Sequence, residues 1–250
     1  MQDLAYVAAL TPHARAIRWV YYLGGVDGDD SDPRFLDNWS RARAVTVDQR
    51  GRVYVAGETE ARDFPVTPGV VQLRYGGGTI DGGGRIEPDG FVTVLDPAGT
   101  RILASTFLGG SHGDSPARIA VDGSGRVTVA GISNSGDYPT RRPVQASNAG
   151  GYDYTLTVLT GDLRQLRYST YFGGLGEEDS MVGLTLDPRS GDPILSGRVG
   201  GNSTDFPTRD APRPVPNPDG DAFIARFHDD DTTPLLPRPL PVLDTPRSAR

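Results

Sequence analysis

The chain has 250 residues, with 32 acidic against 25 basic groups for a formal net charge of -7, and 33 Gly, 21 Pro and no Cys. That length can bury a substantial core, while the lack of Cys excludes disulfides, thiol catalysis and Cys-ligated zinc. Every basic residue is Arg and none forms a basic block, which argues against nucleic acid as a partner.

Residues 4–10, Leu-Ala-Tyr-Val-Ala-Ala-Leu, alternate as a strand does, residues 11–15 read as a turn, and residues 17–25 read as a second strand closing on Gly24-Gly25. No run is apolar for long enough to cross a bilayer, and residues 4–10 read as strand rather than as a secretory leader. The next stretch is acidic, with Asp27, Asp29, Asp30 and Asp32. Oxygen ligands so spaced make these four the candidate metal residues, with Ca²⁺ as the ion. They lack the Gly at position six and the Glu at position twelve of a helix-flanked calcium loop, so solvated turn carboxylates are the default reading. The same default covers Asp114 and the acids 177–179 in the corresponding later loops.

A hairpin follows at 44–57, Ala-Val-Thr-Val-Asp-Gln-Arg-Gly-Arg-Val-Tyr-Val-Ala-Gly. It recurs as Ile-Ala-Val-Asp-Gly-Ser-Gly-Arg-Val-Thr-Val-Ala-Gly at 119–131 and more loosely at 183–197. In each copy an Asp and a nearby Gly supply the acceptor and the permissive backbone of a tight reversal. The strand pair of residues 4–25 also recurs, at 90–110 and 154–174, and its first strand returns at 221–227. With the hairpin strands called A and B and this pair C and D, the order is C-D, A-B-C-D, A-B-C-D, A-B-C, then a tail. Between B and C lies a third recurring motif: Asp63-Phe64-Pro65, Asp137-Tyr138-Pro139 and Asp205-Phe206-Pro207. Its structural reading has Asp capping backbone N–H groups, the ring plugging the space between units, and Pro fixing the turn.

A four-stranded unit repeating every 65 to 85 residues or so points to an all-β, β-propeller-type repeat, here about three four-stranded blades with partial blade strands at the termini. The expected organisation is a repeat domain over 1–228, with units near 1–25 (partial), 26–110, 111–174 and 175–228, followed by a Pro-rich tail at 229–250. Three A strands are too few for an ordinary ring of four to eight blades. The open edges call for cover by another protein subunit or by a head-to-tail homo-oligomer of about six blades, the alternatives being closure within the chain as an unusually small ring, or a chain that is one piece of a longer propeller. Segments that break the repeat are the candidate partner surfaces: Leu235, Leu236, Leu240, Val242 and Leu243 in the tail, and Ile80 and Ile86 in the insertion at 79–89.

Catalytic signatures are sparse. His13, His112 and His228 form no His-x-x-x-His pair, and no Gly-x-Ser-x-Gly elbow is present. His112 stands beside Ser111 and near Asp114, but adjacency in sequence is not triad geometry. The Gly runs 76–78 and 82–84 lack the strand and helix of a phosphate loop. No residue stands out as catalytic, and calcium is the one candidate cofactor.

Tyr-Leu-Gly-Gly before an acidic loop, Ala-Val-Asp-x-x-Gly-x-Val-Tyr-Val-Ala-Gly, Asp-Phe-Pro and Asp-Ala-Phe-Ile-Ala, in that order, resemble the bacterial SBBP repeat, a β-propeller family named for seven-bladed rings. The resemblance spans roughly 4–227 and departs from the family in its small number of repeats and in the insertion at 79–89. It implies a propeller blade, often in large secreted or surface proteins of bacteria, and no single enzymatic activity. The expected role is a non-enzymatic protein-binding or structural subunit in a periplasmic, cell-surface or secreted assembly, associated with a membrane only through other subunits. The alternative is a carbohydrate-active hydrolase or lyase, or a glycan-binding module, with calcium-supported loops.

Overall fold

A computed structural model describes residues 3–25, 39–77, 86–176, 182–200, 203, 205–209 and 220–228. These residues form an all-β arrangement of four antiparallel sheets. Sheet one pairs β1 (Ala5–Leu10) with β2 (Ile17–Leu23). Sheet two runs in the order β3 (Ser40–Val47), β4 (Val53–Thr59), β5 (Asp89–Leu95), β6 (Ile102–Phe107). Sheet three repeats that order with β7 (Asp114–Val121), β8 (Val127–Ser133), β9 (Asp153–Leu159) and β10 (Leu166–Phe172). Sheet four holds β11 (Gly183–Leu186), β12 (Pro193–Val199) and β13 (Asp221–Arg226). No sheet closes on itself among the described residues. No described helix is long and apolar enough to cross a membrane.

The A–B turns follow one recipe. Asp48 Oδ1 accepts the N–H groups of Arg50 and Arg52, both at 2.9 Å, and Asp122 Oδ1 accepts those of Ser124 and Arg126, again at 2.9 Å. Gly51 and Gly125 then take φ of 77° and 85°, a left-handed conformation that costs a residue with a β-carbon roughly 1 kcal/mol or more.

Period-two alternation explains how the sheets stack. Val53, Val55, Phe91 and Leu95 of sheet two face Ala5, Val7 and Leu23 of sheet one. The intervening Tyr54, Ala56, Val92 and Val94 face Ile119, Val129 and Tyr171 of sheet three. Leu156, Val158 and Phe172 of sheet three in turn face Leu195, Ala225 and Phe227 of sheet four. Central strands such as β4 and β5 are therefore buried along their whole length, each large apolar side chain contributing about 1.5–3 kcal/mol. β7 lies close to both β3 and β11, so the first strands of successive sheets run side by side. A buried carboxylate ties two of them: Glu58 of β4 takes an ion pair from Arg43 of β3 and the hydroxyl of Ser115 of β7 at 2.5 Å.

Candidate functional site

Two places depart from uniform stacking. The first lies between sheets two and three, where a groove of about 780 Å³ is lined by the apolar Val70, Val71, Leu108 and Leu166 together with the polar Gln72, Asp137, Arg141, Arg164 and Gln165. Gln72 connects this groove to a buried acid pair. Its Nε2 donates to Asp89 Oδ2 at 3.2 Å, and its Oε1 accepts the Gly109 N–H at 3.1 Å.

Asp89 opens β5 and Asp114 opens β7, and they are 0% and 1% exposed. Asp89 Oδ2 also accepts the Gly76 N–H at 2.7 Å, and Asp114 Oδ2 accepts the Gly110 N–H at 2.7 Å and the Ser135 hydroxyl at 2.9 Å. The Oδ1 atom of each is buried without a hydrogen-bond partner. Both carboxyls press on Gly109: a β-carbon there would sit 1.8 Å from Asp89 Oδ1 and 2.6 Å from Asp114 Oδ2, so the approach requires glycine. Burial, followed by the charge of Asp114, pushes Asp89 well above the ordinary carboxyl range. Burial also raises Asp114, from 3.8 to about 7, against the opposing hydrogen bonds of Ser133, Gly110 and Ser135. Both carboxyls are therefore held above the ordinary range, in contrast to the solvated turn carboxylate that sequence suggests for Asp114. At the preceding interface a β-carbon on Gly24 would meet Leu4 Cδ2 at 2.4 Å and Ser40 Oγ at 3.3 Å in the corresponding places, so the stacking itself does not require acids. The sequence signal for the pair is the Asp that opens each C strand from the second unit onward, Asp89, Asp153 and Asp221.

The Asp-aromatic-Pro motifs sit at the sheet interfaces. Asp137 Oδ1 accepts the Ser111 N–H at 2.7 Å, and Asp205 Oδ1 accepts the Leu175 N–H at 2.9 Å. A β-carbon on Gly25 would meet Asp63 Oδ1 at 1.8 Å, as one on Gly110 would meet Asp137 Oδ1 at 2.4 Å. Phe64, Tyr138 and Phe206 are buried, one in each of the three apolar clusters, with Pro65, Pro139 and Pro207 following them. Ser111 Oγ and His112 Nδ1 are 3.0 Å apart, while the Asp114 carboxyl accepts the Gly110 N–H and the Ser135 hydroxyl.

The second departure is sheet one. β1 pairs only with β2 among the described residues, leaving its other edge open. Its register sets Tyr6 against Tyr22 and Ala8 against Val20. These side chains share the face turned away from sheet two, where Tyr6 is 66%, Tyr22 65% and Leu10 51% exposed. An apolar sheet face beside an open edge is a site for association. Sheet four ends the other side differently, with Arg226 paired to Asp187 at 2.9 Å and Asp192 at 2.8 Å.

Of the residues singled out from sequence, Asp27, Asp29, Asp30, Asp32, Ile80, Leu235, Leu236, Leu240, Val242 and Leu243 lie outside the described residues, and Ile86 is buried. Among the described residues, no group of three or more His, Asp or Glu is placed to hold a metal ion. No protein-family model matches the chain, and a comparison with curated proteins finds no match.

Proposed function

We propose that this chain is a non-enzymatic, protein-binding structural subunit built on SBBP-type propeller blades and working in an extracytoplasmic assembly. The exposed apolar face and open edge of sheet one carry the reading. A propeller leaves only short, protected edges, and a terminal unit that is not covered by a partner needs a polar outer face. Sheet one has instead tyrosines, Leu10 and Val20 on that face. The A-B-C-D strand order of sheets two and three, and the neighbouring positions of β3, β7 and β11, support the propeller geometry.

The test is the native particle mass. Light scattering on the recombinant chain and on material isolated from its source is expected to give a particle heavier than the 26.7 kDa chain in at least one of them. Tyr6→Asp combined with Tyr22→Asp should return it to a single chain without loss of fold, since both rings are largely exposed. A heavy particle indifferent to this double change would overturn the reading of sheet one as the protein-binding face.

A glycan-binding module is the second reading, favoured by the groove, where Asp137, Arg141 and Gln165 bring polar groups to a lining that also holds Val70, Val71, Leu108 and Leu166. It predicts saturable oligosaccharide binding without turnover in titration calorimetry. Arg141→Ala should weaken that binding roughly tenfold or more, as expected for one charged hydrogen bond. Unchanged affinity would remove the groove from consideration.

A further inference from the structure

Sheets one and four are overlapping fragments of a single four-stranded unit. β13 occupies the third place in its sheet, paired with β12 so that Ile194 faces Arg226 and Val199 faces Asp221. β5 pairs with β4 in the same relative register, Tyr54 facing Val94 and Thr59 facing Asp89. By sequence β1 is that third strand again: Ala-Tyr-Val-Ala-Ala-Leu at 5–10 aligns with Ala-Phe-Ile-Ala-Arg-Phe at 222–227. Tyr6, Ala8 and Leu10 thus correspond to Phe223, Ala225 and Phe227. In sheet four that stripe packs on sheet three, with the rings of Phe223 and Phe227 5.5 and 5.3 Å from Phe172. In sheet one the same stripe faces outward. β1 also brings a fourth strand, β2, whereas the outer edge of β13 has no strand beside it among the described residues.

We propose that two copies of the chain exchange hairpins, the β1–β2 hairpin of each taking the place of β13 on β12 of the other. The proposal rests on the reading of the chain as a propeller unit that binds protein through sheet one, and it names the partner as a second copy. Each exchange makes a four-stranded sheet in the order β11, β12, β1, β2. Tyr6, Ala8 and Leu10 replace Phe223, Ala225 and Phe227 over Phe172, and the backbone ladder given up by β13 is rebuilt by β1. Val20 and Tyr22 are the surplus. They enter the positions that Ser105 and Phe107 hold in sheet two, and become buried as those residues are. The hairpin keeps its packing on its own sheet two through Ala5, Val7 and Leu23. The contact is made twice about a two-fold axis, so the four complete sheets of two copies and two composite ones close a ring of six. The ion pairs of Arg226 with Asp187 and Asp192 hold β13 in place and oppose the exchange.

The chain has no cysteine, so single thiols report the pairing. Leu195 lies opposite Ala225 in sheet four, and therefore opposite Ala8 of the partner copy after exchange. Full-length Ala8→Cys and Leu195→Cys chains, mixed under mild oxidation, are expected to give a disulfide joining position 8 to position 195 at twice the mass of the 26.7 kDa chain. Arg226→Ala, which removes a tether of β13 without touching the core, is expected to shift light scattering of the otherwise unaltered chain toward the dimer. Single-chain particles for both the unaltered chain and Arg226→Ala, with no cross-link, would overturn the exchange. In that event, binding of a different protein that is lost in the Tyr6→Asp, Tyr22→Asp variant would leave the protein-binding reading standing. A dimer that ignores those two substitutions and yields no cross-link would overturn both.

Discussion

Asp114→Asn is expected to flatten the pH dependence of stability between about pH 4 and pH 7 and to make the chain more stable than the unaltered protein at pH 8. Burial holds the Asp114 carboxyl at about 7, against 3.8 for an ordinary aspartate. The folded chain therefore keeps a proton that the unfolded chain has released. Its contribution to stability is fully present below about pH 4 and is lost as the pH rises through about 7. The difference corresponds to about 4 kcal/mol. Asparagine keeps an acceptor for the Gly110 N–H without a charge to bury. Urea denaturation of both proteins at pH 5 and pH 8 provides the check, and parallel behaviour would mean that Asp114 is ionised throughout. The turn aspartates oppose this trend. Backbone N–H groups of Arg189 and Ser190 hold Asp187 below the usual range. At Asp122 burial pushes the carboxyl up, but hydrogen bonds from Ser124 and Arg126 outweigh it. Their support is present above the ordinary aspartate range and is lost as pH falls through their lowered values, so stability should be greatest in mildly acidic solution.

Phe172→Ala is expected to cost roughly 3–5 kcal/mol, the usual loss for removing a buried aromatic ring. The ring lies 5.0 Å from Phe206, 5.5 Å from Phe223 and 5.3 Å from Phe227, and is the hub through which sheet three holds sheet four. The damage should be local. Amide exchange is expected to become fast in β11–β13 while β4 and β8 keep their protection. Uniform loss of protection across all four sheets would show that the stack melts as one body.

Strand order was legible because its signals are local. The Asp-to-Gly turn at 48–51 and the Gly-Gly ends at 24–25, 109–110 and 173–174 punctuate alternating runs, and the sheets have the two, four, four and three strands those runs imply. Boundaries were less clear. The motif suggests that the first A strand starts at Ala44, whereas β3 begins at Ser40, across a bulge between Ala42 and Ala44 that interrupts the alternation. The acid pair was not legible as a pair. Asp89 and Asp114 belong to different sheets and meet only because Gly109 admits both, and an acidic residue in a Gly-rich loop reads as solvated until its neighbours are placed. The exposed stripe of β1 was hidden for the opposite reason. Its sequence matches buried strands, and only the sheet beside it shows which face was left uncovered.

The series arrangement of the apolar clusters also bears on synthesis. Each sheet completes its inner face with side chains from its immediate predecessor, so a nascent chain leaving the ribosome never has to wait for a distant C-terminal segment before the next layer can set. Elongation can therefore deliver these sheets layer by layer, each new one setting on the face that its predecessor presents.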